Sequence, residues 1–259
     1  MPSPAPRDRL RLAPVVVVLA SLIVFAPSLA GRFVWDDHVL LEFNPSLGRG
    51  SLFSVLGRGL WGFASEAELG FKDRYYRPVV SFAYAAQYKL AGAQPIVYHT
   101  TNVLLHAACV ALAFGWLRRR LGGTPSAAAG ATLGAALFAL HPTRVENVAW
   151  ISGCTDLWMA LFLFGALHVW DVVAGRARAP ATLALLALAF LSKEAAVVVP
   201  ALLALDLWLL GRSERAAWRA WAALTAGFVA LVVWRSFVLP LGPTGVRWSA
   251  TEHLSAVLS

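Results

Sequence analysis

Charged residues are scarce in this chain of 259 residues. They make up 14% of it, against about 25% in an ordinary soluble domain, while 59% of residues are hydrophobic and the mean hydropathy is +0.65. That balance excludes a soluble globular fold and leaves a polytopic, all-α integral membrane protein. Cysteine is scarcer still. Cys109 lies inside an apolar run and Cys154 in a polar break, so the two make no disulfide framework, and no metal-ligand spacing accompanies either. No cofactor is called for, and a divalent metal has no ligand motif behind it. Internal repeats and low-complexity segments are missing. The net charge of +8 does not make a nucleic-acid face, because the basic residues form short clusters at the ends of apolar runs. That placement suits anchoring against anionic lipid.

What is present is a series of long apolar runs, over residues 12–30, 96–117, 126–140, 157–174, 180–191, 195–210 and 219–239. They predict a bundle of seven transmembrane helices in one membrane domain spanning 1–259, with no soluble domain. Residues 31–95 form an extracytoplasmic loop, the last six helices occupy 96–239, and 240–259 is an extracytoplasmic tail. The third and fifth runs are shorter than the ~20 residues that span hydrocarbon, as happens where helices stop short to line a cavity. Gly130 and Gly134 in the third give a small-xxx-small pattern for close helix packing. The first run also has the features of a signal peptide, with Arg7, Arg9 and Arg11 before it and small residues at its end. Either reading puts residue 31 outside the cytoplasm.

The N-terminus, Arg118–Arg119–Arg120, the Arg176/Arg178 loop and the Arg212/Arg215/Arg219 loop all fall on one side, which the positive-inside tendency makes cytoplasmic. Lys and Arg divide evenly between the two sides, but seven of the outer ones lie in the long loop 31–95, which counts weakly in that rule. Within this loop, 51–63 and 79–90 mix apolar with single polar residues as interfacial helices do, although Gly57 and Gly59 weaken the first.

Acidic residues recur in short breaks between the apolar runs, and these breaks face outward: FVWDDH (33–38), DRYYRP (73–78), HPTRVE (141–146), SGCTD (152–156) and SKE (192–194). An ionised group near hydrocarbon costs about 2.5–3.5 kcal/mol or more, so a membrane chain that keeps several has a use for them. Asp36 and Asp37, held at the interface by Trp35, suit a general base acting on an acceptor hydroxyl; the plainer alternative is a solvated helix cap. Arg77 in YYRP suits bidentate phosphate recognition or simple snorkelling to lipid phosphate. Lys193 and Glu194 either cap a hairpin as a local pair, or Lys193 faces a bound anion. His99, Asn102 and His106 share one face of the second helix and turn inward, lining a cavity or bonding a neighbour. His141, Arg144, Glu146 and Asp156 surround the exit of the third helix and the entry of the fourth, where they would bind an ion, a sugar or one another.

In order, FVWDDH, NPSL, YYRPVVSF, YHTTNVLLH, HPTRVENVAWISGCTD and LSKE resemble the membrane domain of the transmembrane and tetratricopeptide-repeat O-mannosyltransferases and their bacterial relatives, in the GT-C superfamily of polytopic glycosyltransferases. The resemblance covers about residues 15–240. It implies a lipid-linked sugar donor, a polyprenyl-phosphate mannose, and a protein or glycan acceptor. It further implies catalysis by Asp36 as base with Asp37 in support, donor-phosphate binding by Arg77, Lys193 and Arg144, and substrate contacts from Tyr76, His141, Glu146 and Asp156. Departures accompany it. Neither tetratricopeptide repeats nor further helices follow the seventh run, and family members often carry His where Arg144 stands and a basic residue near Cys154. A partial or non-catalytic relative acting as a membrane interaction protein is therefore the alternative. A transporter is the third reading, disfavoured because the polar residues gather at one face and not at the midplane. The Ala, Leu and Arg richness points to a bacterial inner membrane, with the motifs facing the periplasm.

Overall fold

The computed structural model describes residues 6–49, 51–63, 75–122, 124–209 and 214–238; the predicted tail 240–259 and the side chains of Arg7, Arg9 and Arg11 lie outside them. Among the described residues the fold is all-helical. Its α-helices are α1 Pro6–Phe25, α2 Pro45–Gly48, α3 Pro78–Ala91, α4 Pro95–Leu121, α5 Pro125–Leu140, α6 Arg144–Ala149, α7 Cys154–Val172, α8 Arg178–Phe190, α9 Val199–Leu209 and α10 Arg215–Val238. Four segments are long and apolar enough to cross a membrane: Leu12–Ala30, Pro95–Leu121, Ile151–Val172 and Arg215–Ser236. The other predicted spans form helices of 16 (α5), 13 (α8) and 11 residues (α9).

The boundaries are written locally. α2, α3, α4 and α5 each begin on a proline, whose missing N–H costs nothing in the first turn. Thr124 Oγ1 caps α5 by accepting from Ala127 N at 3.2 Å. α3 and α4 end at Gly92 and Gly122, both at positive φ, where a side chain would be strained.

α4 is the central strut. α1, α5 and α7 pack along it, while α8 lies against α7 and α10, and α9 against α10. The small residues of α5 face α4: Ala131, Ala135 and Ala139 are fully buried, and a Cβ on Gly134 would meet Leu117 Cδ1 at 2.8 Å. The polar stripe of α4 also turns inward, with His99, Asn102 and His106 buried. α5 stops level with His106, whose Nε2 lies 3.0 Å from Ala139 O. That is 11 residues into α4, roughly 17 Å from its start at 1.5 Å per residue. The polar corner 141–154 fills the remaining depth and recesses one end of the bundle.

The long loop departs from expectation in part. Residues 79–90 are helical as α3, but 51–63 hold only a 3-10 turn, Leu52–Val55, because Gly57 and Gly59 interrupt anything longer. The loop nevertheless has its own core, in which Leu41, Leu47, Trp61 and Val80 pack with Tyr84 of α3, Tyr98 of α4 and Ile151.

Candidate functional site at the recessed end of the bundle

The chain leaves α1 through the 3-10 turn Ala26–Ala30 and reverses at Trp35, a non-glycine residue at φ 50°. This reversal sends the two carboxylates in different directions. Asp37 is fully buried. Its Oδ1 accepts from Ser152 N at 2.9 Å and Ser152 Oγ at 2.5 Å, and its Oδ2 from Val34 N at 3.1 Å. Asp36 instead lines a polar cavity of about 550 Å³. Burial, and then the charge of Asp37, hold the Asp36 carboxyl above its ordinary value.

The corner that receives Asp37 is built from two sides. Asn102 on α4 aims Nδ2 at the carbonyls of Val148, Trp150 and Ile151, at 3.4, 3.2 and 3.2 Å. Gly153 lets the chain fold back on itself: a Cβ there would lie 2.2 Å from Glu146 O. Tyr84 Oη lies 3.2 Å from Cys154 Sγ beneath the same corner.

Arg77, Glu146, Asp156 and Lys193 line the cavity with Asp36, beside Tyr75 and Trp150. Both cations are engaged. Lys193 Nζ donates to both oxygens of Asp156 at 2.7 Å, and Asn147 Nδ2 donates to Asp156 Oδ2 at 2.9 Å. Arg77 reaches Glu194 Oε2 from Nε at 3.2 Å and from Nη2 at 2.9 Å, with its guanidinium 4.8 Å from the Tyr75 ring centre. Arg235 at the end of α10 donates to Glu194 Oε1 at 2.5 Å. Burial raises the Glu194 carboxyl, but the two guanidinia outweigh it and hold the group below its ordinary value.

Three predicted residues sit elsewhere. Tyr76 donates to Leu56 O at 2.7 Å and lines a second, apolar space; burial pushes its hydroxyl up, against the pull of Arg235. His141 Nδ1 lies 2.8 Å from Thr143 Oγ1. Arg144 donates to Thr143 Oγ1 at 3.3 Å and lies over Phe138, 5.4 Å from the ring centre. Neither His141 nor Arg144 is a lining residue of the cavity. Motif reading left Ser152 and Asn147 without a role and gave Glu194 only that of a hairpin cap beside Lys193. The partners of Ser152, Glu194 and Arg235 are distant in sequence, while Asn147 bonds Asp156 nine residues on; only the charges of Glu194 and Arg235 gave any signal. Among the described residues no three His, Cys, Asp or Glu side chains are grouped to hold a metal.

The apolar space is a groove of about 710 Å³ between α3, α4, α7 and α8, lined by Phe82, Trp158, Phe162 and Leu191 among others. Tyr76 and Pro78 line the groove and Arg77 lines the cavity. Consecutive residues of one short segment thus line the two spaces.

No family model and no solved structure matches the chain. Curated proteins do. A protein O-mannosyl-transferase of Caenorhabditis elegans is 31% identical over 154 residues, 59% of this chain and 22% of that protein. Human protein O-mannosyl-transferase TMTC4 is 33% identical over 164 residues, 58% of this chain and 22% of its own length. Mouse protein O-mannosyl-transferase TMTC1 is 31% identical over 168 residues, 62% of this chain and 17% of that protein. The chain therefore spans about a fifth of the length of the curated relatives it matches. By sequence the chain, which carries four helices long and apolar enough to cross a membrane, is similar to protein O-mannosyl-transferases over some three-fifths of its own residues.

Proposed function

We propose that this chain is a GT-C glycosyltransferase module that moves a sugar, mannose by analogy with its relatives, from a polyprenyl-phosphate donor to an acceptor hydroxyl on the extracytoplasmic face. One observation carries the reading: a cavity lined by carboxylates and cations, with Asp36 and Arg77 among them, adjoins an apolar groove lined by the two chain neighbours of Arg77. A lipid-linked sugar has that same division, with a polar head, a phosphate and an apolar tail. Both spaces fall in the ~300–1,000 Å³ range of small-ligand sites.

In this mechanism Asp36 takes the proton of the acceptor hydroxyl while its oxygen attacks the anomeric carbon. The bond from that carbon to the phosphate oxygen breaks with inversion, and the polyprenyl phosphate leaves with the electron pair. No general acid is needed, since cations beside the phosphate stabilise the charge that develops there. Arg77 and Lys193 supply them. Asp37, anchored to Ser152, sets the direction of Asp36, and Glu146 and Asp156 face the sugar or the acceptor. Tyr76 and the groove would take the first prenyl units. His141 and Arg144, at the rim, would meet the acceptor.

The bundle would cross the membrane seven times. α5, α8 and α9 are short, yet each joins the recessed end to the opposite one: α8 and α9 meet at Lys193 and Glu194 beside the cavity, whereas Asp206 of α9 pairs with Arg120 at the far end of α4. In a bacterium the site would face the periplasm from the inner membrane.

The test is transfer from radiolabelled polyprenyl-phosphate mannose in membranes containing this chain or Asp36→Asn. Loss of transfer in the variant, at unchanged expression, is expected. Equal transfer by both would remove Asp36 from the reaction, and transfer by neither would favour a membrane interaction protein.

A further inference from the structure

Two arginines converge on one carboxylate, each taking its own oxygen: Arg77 holds Oε2 and Arg235 holds Oε1 of Glu194. They come from the long first loop and from α10, so tertiary structure alone brings them together. Their side chains are 14% and 9% exposed, against 37% for Glu194. Phe190 lies under Arg235, 4.8 Å from its guanidinium. One carboxylate leaves this pair with an excess positive charge in a place where desolvating charge is costly. The excess fits an occupant more negative than a carboxylate, and Glu194, the most exposed of the three, is the member free to leave.

We infer that Arg77 and Arg235 form a phosphate cradle, and that Glu194 occupies it until a phosphate takes its place. This deepens the transferase reading and rests on it. The donor phosphodiester carries one negative charge; once its bond to the sugar breaks, the phosphate gains the electron pair and moves toward two charges. Two guanidinia therefore favour the leaving phosphate over the bound donor, which is the difference that accelerates transfer. Glu194 neutralises the cradle while it is empty. Arg235 thereby becomes a donor-binding residue, and Glu194 a placeholder that competes with the donor.

The experiment is thermal unfolding of the 259-residue chain in detergent, titrated with inorganic phosphate, undecaprenyl phosphate or phosphatidylglycerol. Glu194→Gln should melt lower than wild type without ligand and bind inorganic phosphate about tenfold more tightly, the worth of one charge-assisted contact. Adding Arg235→Met to it should abolish that gain. Arg235→Met alone keeps a one-to-one Arg77–Glu194 pair, so it should fold, and it should weaken undecaprenyl phosphate about tenfold by the same measure. Phosphate binding no tighter in Glu194→Gln, or undecaprenyl phosphate binding unchanged in Arg235→Met, overturns the cradle. Phosphatidylglycerol matching undecaprenyl phosphate would make it a site for bilayer headgroups and overturn the donor assignment. Mannose transfer by wild type without these changes sinks the cradle alone, whereas the changes without any transfer sink the transferase reading alone.

Discussion

Asp36 and Asp37 are neighbours in sequence with opposite environments, and their amide variants should separate accordingly. Asp37 accepts from two backbone N–H groups and a hydroxyl while fully buried. An asparagine there turns an NH₂ toward one of those donors and leaves it unsatisfied. Asp37→Asn should therefore lose about 1.5–3 kcal/mol of stability, as for other hydrogen bonds to buried charge, measured by thermal unfolding. Asp36→Asn should not. Its carboxyl sits above the ordinary 3.8 because of burial and the charge of Asp37, so ionisation costs the folded state as pH rises through that higher value. Removing it leaves neutral-pH stability equal or slightly increased, while transfer is lost. In wild type, transfer should fall as pH drops through the raised Asp36 value. Glu194 has the opposite sign. Its carboxyl titrates below the ordinary 4.5, so its contribution is present above that value and is lost as pH falls through the lowered one. Glu194→Gln should lack that acid step in the unfolding profile.

The apolar runs and their ends were readable as elements, since hydrophobic length, proline starts and glycine stops are all local signals. Residues 96–117, for example, became α4 with its inward polar stripe intact. Where the signal is not local, the sequence was silent. The corner at 150–154 looks like an ordinary polar break, yet its serine holds Asp37 and its glycine allows a backbone approach no other residue fits. Likewise, Lys193 and Glu194 read as a hairpin cap or an anion contact, but each pairs across the fold, with Asp156 and with two arginines. Charge identifies such residues and only packing identifies their partners. The corner offers a direct test. Gly153→Ala must push a Cβ away from the Glu146 carbonyl, for a penalty of about 1–3 kcal/mol by analogy with overpacked cores. Because Asp37 hangs from the adjacent Ser152, transfer should fall with stability in the same variant. An alanine variant as stable as wild type would show that the corner relaxes and that the close approach is not required.

At the scale of the whole molecule, the two ends of the bundle are held by different ionic clusters, and their separation fixes the topology. Opposite the cavity, Arg120 at the end of α4 donates to both oxygens of Asp206 on α9, at 2.9 and 3.0 Å, and lies 2.8 Å from Asp171 on α7. Three helices thus meet at one guanidinium. Arg120→Met would leave two carboxylates without their cation, a loss of about 3–5 kcal/mol for a broken buried pair, and adding Asp171→Asn and Asp206→Asn should recover most of it. This cluster includes Arg120 of the Arg118–Arg120 run that the positive-inside tendency assigns to the cytoplasm, whereas the Asp36 cavity is lined by the corner that Asn102 holds toward the other end of α4. From Asn102, which holds the corner lining the cavity, to Arg120 the helix rises over 18 residues, roughly 27 Å at 1.5 Å per residue, close to the ~30 Å of a hydrocarbon core. Cysteine labelling tests this arrangement cleanly, because Cys109 and Cys154 are both buried and contribute little background. Phe43 and Leu121 are exposed at the two ends, at 69% and 51%. Phe43→Cys should react with a membrane-impermeant maleimide in intact cells. Leu121→Cys should react only after permeabilisation. Labelling of both from the same side would place the cavity and the arginine cluster on one face of the membrane and would overturn the proposed extracytoplasmic site.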